Sequence, residues 1–177
     1  MANTQLVEQY RANRKITDPK FFKQLRSPLL FNLYTATQLP MAFMARCKVK
    51  HVDLEKCEIT VPYRWMNQNP FSSTYFAVLA MAAEMSTGML ALIMTRNSNP
   101  SVSMLVTHLE ADFVKKATGI TTFVCTEGKE MNEVIERAIL TGEGQTFSAT
   151  SVGYSASGEV EARFKVEWSF RMRTPKK

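Results

Sequence analysis

The residue whose type and surroundings are best suited to chemistry in this chain is Glu84. It is the one charged residue among the 31 that lie between Arg64 and Arg96, and the second half of this stretch is apolar on every side. A carboxylate in such surroundings is costly to ionise, and burial raises its pKa toward the range in which a general base works at neutral pH. We therefore predict that Glu84 is a catalytic or ligand-contacting residue, or else a structural carboxylate held by a hydroxyl group such as that of Ser86.

The element that must position Glu84 is an apolar segment with the length of a membrane span or of a long buried helix. Residues 71–94 exceed the about 20 residues that cross a bilayer, but several hydroxyl-bearing residues weaken insertion: Ser72, Ser73, Thr74, Ser86 and Thr87. The sequence after this segment is patterned like soluble strands. We predict a helix from about Ser72 to Thr95 buried in a soluble core, with no stable membrane span. The alternative is a membrane-associated protein anchored by residues 71–94.

Composition indicates one domain in a reducing compartment. A chain of 177 residues with 45 % apolar residues can bury one full-sized core. Cys47, Cys57 and Cys125 are odd in number and widely spaced, which does not indicate a disulfide framework. Together with His51 they lack the paired spacing of a metal site. The first 26 residues contain no apolar core of a signal peptide; a mitochondrial transit peptide is the alternative, and Glu8 and Asp18 count against it. We therefore predict a cytoplasmic protein without a bound metal.

The net charge of +6 comes from the two ends of the chain. Basic residues outnumber acidic ones by six to two in residues 1–26 and by six to one in residues 163–177, whereas residues 27–162 carry ten basic and thirteen acidic residues. Basic ends can contact an anionic partner, such as a phosphate-bearing ligand or a membrane surface, or can simply be solvated. No nucleic-acid-binding motif is present, so we expect no nucleic-acid partner.

The remaining sequence predicts a sheet around the buried helix. Residues 102–114 are apolar on both faces at their start, which predicts a central strand. Residues 130–140 have one apolar face and predict a short helix that ends at Gly142. Ahead of the strands, Asp18-Pro19 and Ser27-Pro28 predict two helix starts, and Pro40 predicts a helix end. Further strands are predicted over residues 45–52, 57–63, 120–126, 144–155 and 159–171, the last two joined by a turn at Ala156-Ser157-Gly158. The last strand alternates between an apolar face, predicted to face the core, and a charged face, predicted to face water. The apolar face holds Val160, Ala162, Phe164, Val166, Trp168 and Phe170, and the charged face holds Glu159, Glu161, Arg163, Lys165, Glu167 and Arg171.

Three residues around the predicted core helix stand at the spacing of a known motif. Asn69 is followed six residues later by Tyr75-Phe76-Ala77, then by Glu84 and by Gly88. This pattern resembles that of the phenylacetate-type acyl-CoA thioesterases of the hotdog-fold superfamily, which carry Asn, His-Gly-Gly, an acid and Gly at these positions. Residues 112–119 resemble the strand end and turn that precede the next strand in those enzymes. The chain most resembles a branch of this superfamily known as a domain of unknown function.

The resemblance implies a fold and a division of the chain. We expect an α+β hotdog fold, in which a curved antiparallel sheet wraps a long central helix. Residues 1–39 would form an N-terminal helical extension, and residues 40–177 would form the hotdog domain.

The resemblance also implies roles for the motif residues. Glu84 would be the nucleophile or the general base that activates water. The N–H group of Phe76, next to Tyr75 at the helix N-terminus, would stabilise the oxyanion. Asn69 would orient water or the carbonyl group, or would simply be a turn residue before Pro70.

Further residues would contact the substrate in a site formed between two subunits. The residues expected to bind it are Met81, Gly88, His108, Lys115 and Lys116. The two lysines would contact the phosphates of coenzyme A or remain solvated. Thr107 and His108 of the partner would complete the site, unless His108 is a structural residue next to Glu110.

The implied function is hydrolysis of an acyl-CoA or acyl-carrier thioester by a homodimer or tetramer, with no cofactor other than the coenzyme A of the substrate. A medium or long acyl chain would lie in a tunnel lined by Met and Phe. Tyr75-Phe76-Ala77 replaces the glycines that let a thioester approach the backbone closely. The alternative is therefore a hotdog protein that binds an acyl or other apolar ligand without turnover.

Overall fold

The helices and strands follow the order that the sequence predicts. The computed structural model describes residues 2–15 and 19–173; Asp18, the predicted N-cap of the second helix, lies outside them. The helices are α1 (Ala2–Lys15), α2 (Pro19–Arg26), α3 (Pro28–Gln38), α4 (Pro40–Met44), α5 (Phe76–Thr95) and α6 (Gly128–Thr141). The strands are β1 (Lys48–Val52), β2 (Cys57–Pro62), β3 (Val102–Phe113), β4 (Ile120–Cys125), β5 (Gln145–Tyr154) and β6 (Val160–Met172), and a 3₁₀ turn covers Trp65–Asn67.

The long apolar helix that carries Glu84 is α5, and it begins four residues later than predicted, at Phe76 instead of Ser72. A β-bridge between Gln68 and Thr74 keeps the chain out of the helix, and Tyr75 is the N-cap with an extended backbone (φ −61°, ψ 133°). Among the described residues, α5 is the one helix long and apolar enough to span a membrane, and 61 % of its apolar window is buried. The apolar stretch is thus the core helix, as predicted.

A six-stranded antiparallel sheet packs against α5, in the order β1-β2-β4-β5-β6-β3. The prediction that β3 is central is wrong, because it lies at the edge and pairs only with β6, from Val102 opposite Met172 to Phe113 opposite Ala162. Apolar residues of this edge strand remain exposed, Leu105 by 67 % and Leu109 by 42 %. The apolar pattern therefore marks an uncovered edge, which natural proteins usually protect.

The β5–β6 hairpin supplies much of the surface that packs on the helices. Its turn lies at the predicted residues, and Gly158 adopts the left-handed conformation (φ 85°) that this turn requires. The alternation predicted for β6 is confirmed from Ala162 onward, because every second side chain is buried: Ala162, Phe164, Val166, Trp168 and Phe170. The prediction that Glu161 faces water is wrong, because its side chain is 4 % exposed and accepts a hydrogen bond from the Thr121 hydroxyl (2.6 Å).

The N-terminal helices pack on α6 and on the β1 end of the sheet. The buried Tyr10 of α1 donates a hydrogen bond to Oδ1 of Asn132 on α6 (3.0 Å), and α2 and α3 contact β1. Pro40 separates α3 from α4, which agrees with the predicted helix end. The division between an extension of residues 1–39 and a hotdog domain of residues 40–177 stays a prediction.

Candidate functional site

Glu84 lies on the part of α5 that faces the end of α3 and the start of α4. There it borders a cavity of about 280 Å³, together with Met81 and Met85 of the same helix. The opposite wall consists of the consecutive residues 38–42, which are apolar except for Gln38. The structure therefore brings Glu84 and Met81 together at one apolar cavity. Their predicted roles, as a reacting group and as a residue that contacts an acyl chain, stay predictions.

The surroundings of the Glu84 carboxyl group disfavour its charged form. Burial raises its pKa above the ordinary value, because the loss of hydration disfavours the charged form. Among the described residues, no side chain donates a hydrogen bond to this carboxylate or forms an ion pair with it. The Ser86 hydroxyl instead donates to the carbonyl oxygen of Ala83 (2.7 Å) and contacts the Ser151 hydroxyl (2.7 Å). Ser86 therefore does not hold Glu84.

Gly88 makes room for the Glu84 carboxylate one turn further along α5. A Cβ atom placed on Gly88 would lie 3.0 Å from Oε1 of Glu84 and 3.1 Å from Cζ2 of Trp168. The Trp168 ring is fixed, because its Nε1 donates a hydrogen bond to the Thr87 hydroxyl (3.0 Å). A side chain at position 88 would thus contact both the Glu84 carboxylate and the Trp168 ring tightly.

The N-terminus of α5 borders a separate cavity of about 590 Å³. The first N–H groups of a helix have no acceptor within it, and no side chain caps this end of α5. The rings of Tyr75 and Phe76 pack edge to face, with centroids 4.9 Å apart. The cavity gathers five of the residues predicted for the site: Asn69, Tyr75, Phe76, Lys115 and Lys116.

The two parts of the predicted catalytic site do not share a cavity within one chain. Glu84 follows Phe76 by eight residues, which corresponds to about 12 Å along an α-helix. Groups that act on one carbonyl must each lie about 3 Å from the atoms that react. Glu84 and the Phe76 N–H of the same chain are therefore too far apart to act on one thioester.

Asn69 forms a turn in front of α5. Its Oδ1 accepts hydrogen bonds from the N–H groups of Phe71 (2.9 Å) and Ser73 (3.3 Å), and its Nδ2 lies 3.1 Å from the Ser73 hydroxyl. This pattern is typical of an Asx turn. These bonds already occupy the amide of Asn69. Its predicted role in orienting water or the carbonyl group of a substrate stays a prediction.

The remaining predicted contacts lie away from Glu84. Lys115 pairs with Glu159 (2.7 Å), and Nζ of Lys116 donates to the carbonyl oxygen of Phe71 (3.1 Å). His108 lies opposite Glu167, on the face of the sheet turned away from α5, and is 3.5 Å from Glu110. The substrate-binding roles of these three residues stay predictions. Across residues 2–15 and 19–173, no group of three or more His, Cys, Asp and Glu residues could hold a metal ion.

Two features of the surroundings were not predicted from the sequence. One is the wall of residues 38–42 opposite Glu84, whose only signal is the apolar run on both sides of Pro40. The other is a third cavity, lined among others by Arg46, Lys48, Arg64 and Trp65. These residues come from separate segments, so only the fold brings them together.

Solved structures with the same fold support the architecture. A Pseudomonas aeruginosa protein of unknown function, described as a probable thioesterase, matches with a TM-score of 0.69 at 15 % identity, over 85 % of this chain and 99 % of that chain. A thioesterase from Haemophilus influenzae matches with a TM-score of 0.62 at 10 % identity, over 82 % and 91 %. A mutant thioesterase from Pseudomonas aeruginosa matches with a TM-score of 0.63 at 11 % identity, over 83 % of this chain and 95 % of that chain. At these identities the likeness shows the fold alone.

The sheet packed on a long central helix, together with these matches, defines a protein of the hotdog fold. The family model described as domain of unknown function DUF4442 matches residues 29–169, and the chain belongs to that family. No curated protein matches the chain in sequence.

Proposed function

We propose that this protein hydrolyses an acyl-CoA or acyl-carrier thioester, with Glu84 as the general base or the nucleophile. The observation that carries the proposal is a carboxyl group with a raised pKa, free of polar side-chain partners among the described residues, at the wall of an apolar cavity. A pKa raised toward neutrality makes a carboxylate a better base, and the apolar wall suits an acyl chain.

Glu84 would act in one of two ways. As a general base it takes a proton from water while the water oxygen attacks the carbonyl carbon; the C–S bond then breaks, and the thiol leaves with a proton. As a nucleophile its carboxylate oxygen bonds to the carbonyl carbon and expels the thiol, and water then cleaves the resulting anhydride. Neither route needs a cofactor beyond the coenzyme A or carrier of the substrate.

We further propose that the active form is a cytoplasmic homodimer, itself able to pair into a tetramer, with sites between protomers. The distance of about 12 Å along α5 prevents Glu84 and the Phe76 N–H of one chain from sharing a carbonyl. A site that uses both therefore combines Glu84 of one protomer with the partner subunit's Phe76. The exposed edge of β3, with Leu105 and Leu109, has the apolar side chains and unpaired backbone groups that a second sheet could cover.

The test is an assay of hydrolysis with a panel of acyl-CoAs, in which the free thiol that is released is measured. The three cysteines are buried, so the folded protein itself contributes little thiol signal. We expect Glu84→Gln to reduce kcat by about 10²–10⁴-fold, and Glu133→Gln, an exposed acid on α6, to have no effect. An inactive wild type, or full activity in Glu84→Gln, would contradict the proposal.

The alternative function is binding of an acyl or other apolar ligand without turnover. The apolar residues that surround Glu84 favour it, as does the presence of Phe76 and Ala77 where relatives by resemblance have glycines. An inactive wild type that still binds fatty acids, with affinity reduced by bulky residues at Ala42, would support this alternative.

A further inference from the structure

A third cavity, of about 590 Å³, lies at the other end of α4 from the Glu84 cavity. Pro40, Met41 and Ala42 line the Glu84 cavity, whereas the next two residues, Phe43 and Met44, line this one. Its remaining wall comes from Asn32 of α3, from the segment that leads into β1 and from the segment that follows β2. We call it the cationic cavity, because three of its lining residues are Arg46, Lys48 and Arg64.

The three cations of the cationic cavity, Arg46, Lys48 and Arg64, have no ion-pair partner within residues 2–15 and 19–173. Nearby lysines behave differently, because Lys50 and Lys56 both pair with Glu58, at 3.3 Å and 2.6 Å. Three unpaired cations around one concave surface favour an anion, and arginine pairs match phosphate oxygens in particular.

The two segments that carry the arginines are fastened together by one buried side chain. Nδ2 of Asn67 donates hydrogen bonds to the carbonyl oxygen of Ala45 (2.9 Å), just before Arg46, and to that of Pro62 (2.7 Å), two residues before Arg64. Asn67 is 2 % exposed. The positions of the two arginine backbones are therefore set before a ligand binds, which lowers the entropy lost on binding.

Arg46 occupies a position that normally favours glycine. The end of α4 is a Schellman motif, in which the Cys47 N–H bonds to the carbonyl oxygen of Ala42 (2.9 Å) and the Arg46 N–H to that of Phe43 (3.0 Å). In this motif the residue after the C-cap adopts the left-handed conformation. That residue is Arg46, with φ 59°. An L side chain is disfavoured there, so backbone preference does not account for arginine. Local strain of this kind is found most often at functional sites.

The cationic cavity also presents a flat aromatic surface. Trp65 lines it and is 80 % exposed, and Phe43 lines it as well. An exposed tryptophan beside cations is a surface on which a nucleobase stacks, since every base has a π-face. Apolar side chains alone would suit a lipid, and cations alone would suit any anion; their combination favours a ligand with both phosphate and a flat ring.

We propose that Arg46, Lys48, Arg64 and Trp65 form a binding site for a phosphorylated nucleoside, with the phosphates on the cations and the base on the tryptophan. This site goes beyond the proposed hydrolysis and stands whether or not Glu84 reacts with a thioester. Because both cavities are lined by residues of the short helix α4, one extended ligand with a nucleotide at one end could reach both.

The test is calorimetric titration of the full chain with adenosine 3′,5′-bisphosphate, and with adenosine as the control ligand. We expect the bisphosphate to bind and adenosine to bind at least tenfold more weakly, since a bond between a phosphate and a charged donor contributes about tenfold or more in affinity. Arg64→Gln should weaken bisphosphate binding by about tenfold or more. Trp65→Ala should do so as well. Lys129→Gln removes the same charge from the exposed face of α6, outside the cavity, and should leave the affinity unchanged.

Arg46→Gly separates the binding role from a structural one. Glycine relieves the left-handed strain, so we expect the melting temperature to rise by about 2–4 °C while bisphosphate affinity falls about tenfold or more. The proposal is overturned by any of three results: no binding of the bisphosphate at millimolar concentration, equal binding of adenosine, or an equal loss in Lys129→Gln and Arg64→Gln. Tighter or unchanged binding in Arg46→Gly would overturn the role of Arg46.

Discussion

The most demanding test of the proposed mechanism is whether Glu84 and the Phe76 N–H act from different protomers. The N–H can be removed with little disturbance by Phe76→Pro, because Phe76 is the first residue of α5 and proline is favoured there. The preceding Tyr75 has ψ 133°, the extended conformation that a following proline requires. Phe76→Ala is the matched control, since it removes the ring and keeps the N–H.

The expected losses follow from the roles of the two groups. Loss of one oxyanion donor costs about 10²–10³-fold in kcat, or about 2.7–4 kcal/mol, so Phe76→Pro should be nearly inactive and Phe76→Ala should not. Glu84→Gln should be inactive as well. In a mixed dimer of the two variants, one site pairs Glu84 of the proline chain with the intact N–H of the glutamine chain, and the other site has neither group. Such a dimer should recover about half of the wild-type activity.

The assay uses chains with two different affinity tags, co-expressed and purified in tandem, so that only mixed dimers are measured. Thiol release is then compared with both parent dimers and with wild type. Activity in the mixed dimer no higher than in the parents would refute the shared site. Failure to recover any mixed dimer would refute the dimer itself, and near-wild-type activity in Phe76→Pro would refute the oxyanion role.

Three further predictions concern the surroundings of this site. Gly88→Ala places a methyl group 3.0 Å from the Glu84 carboxylate oxygen and 3.1 Å from the Trp168 ring. Thioesterase activity should therefore fall by about tenfold or more, while circular dichroism still shows a folded protein. An unchanged kcat would contradict this expectation. Because the folded-state pKa of Glu84 is raised, ionisation of this carboxyl group favours the unfolded chain. Glu84→Gln should therefore melt at a higher temperature than wild type near neutral pH, and the difference in melting temperature should disappear as the pH falls below the ordinary pKa of 4.5. An equal difference at all pH values would show that charge is not the cause. Lysine at both Leu105 and Leu109 should convert the dimer to a monomer in sedimentation without unfolding the chain, and an unchanged dimer would mean that β3 is not the interface.

Much of the fold follows from local patterns along the chain. The alternation in residues 159–171 predicted one buried face of β6, and Phe164, Val166 and Trp168 are buried there, because side chains in a strand point to opposite faces in turn. The start of α5 was less predictable, because no proline, glycine or charged residue lies between Phe71 and Phe76 to mark it. A turn and a β-bridge, which depend on contacts of Gln68 and Thr74, delay the helix to Phe76.

The place of β3 shows where local pattern is insufficient. Its apolar residues predicted a central strand, and the chain places it at the edge. Burial by neighbouring strands and burial by a second molecule require the same kind of side chain, so composition alone cannot distinguish them.

By itself, the sequence determined that Glu84 is a lone carboxylate in an apolar helix, with Gly88 one turn away, because both facts depend only on residue type and helical spacing. Only the tertiary structure decided what faces that carboxylate. Residues 38–42 close its cavity, Ser86 bonds elsewhere, and Trp168 packs beside Gly88. It also gathered Arg46, Arg64 and Trp65 at one cavity. These partners come from segments far apart in the chain, and their proximity is set by how helices and strands pack, which no local pattern specifies.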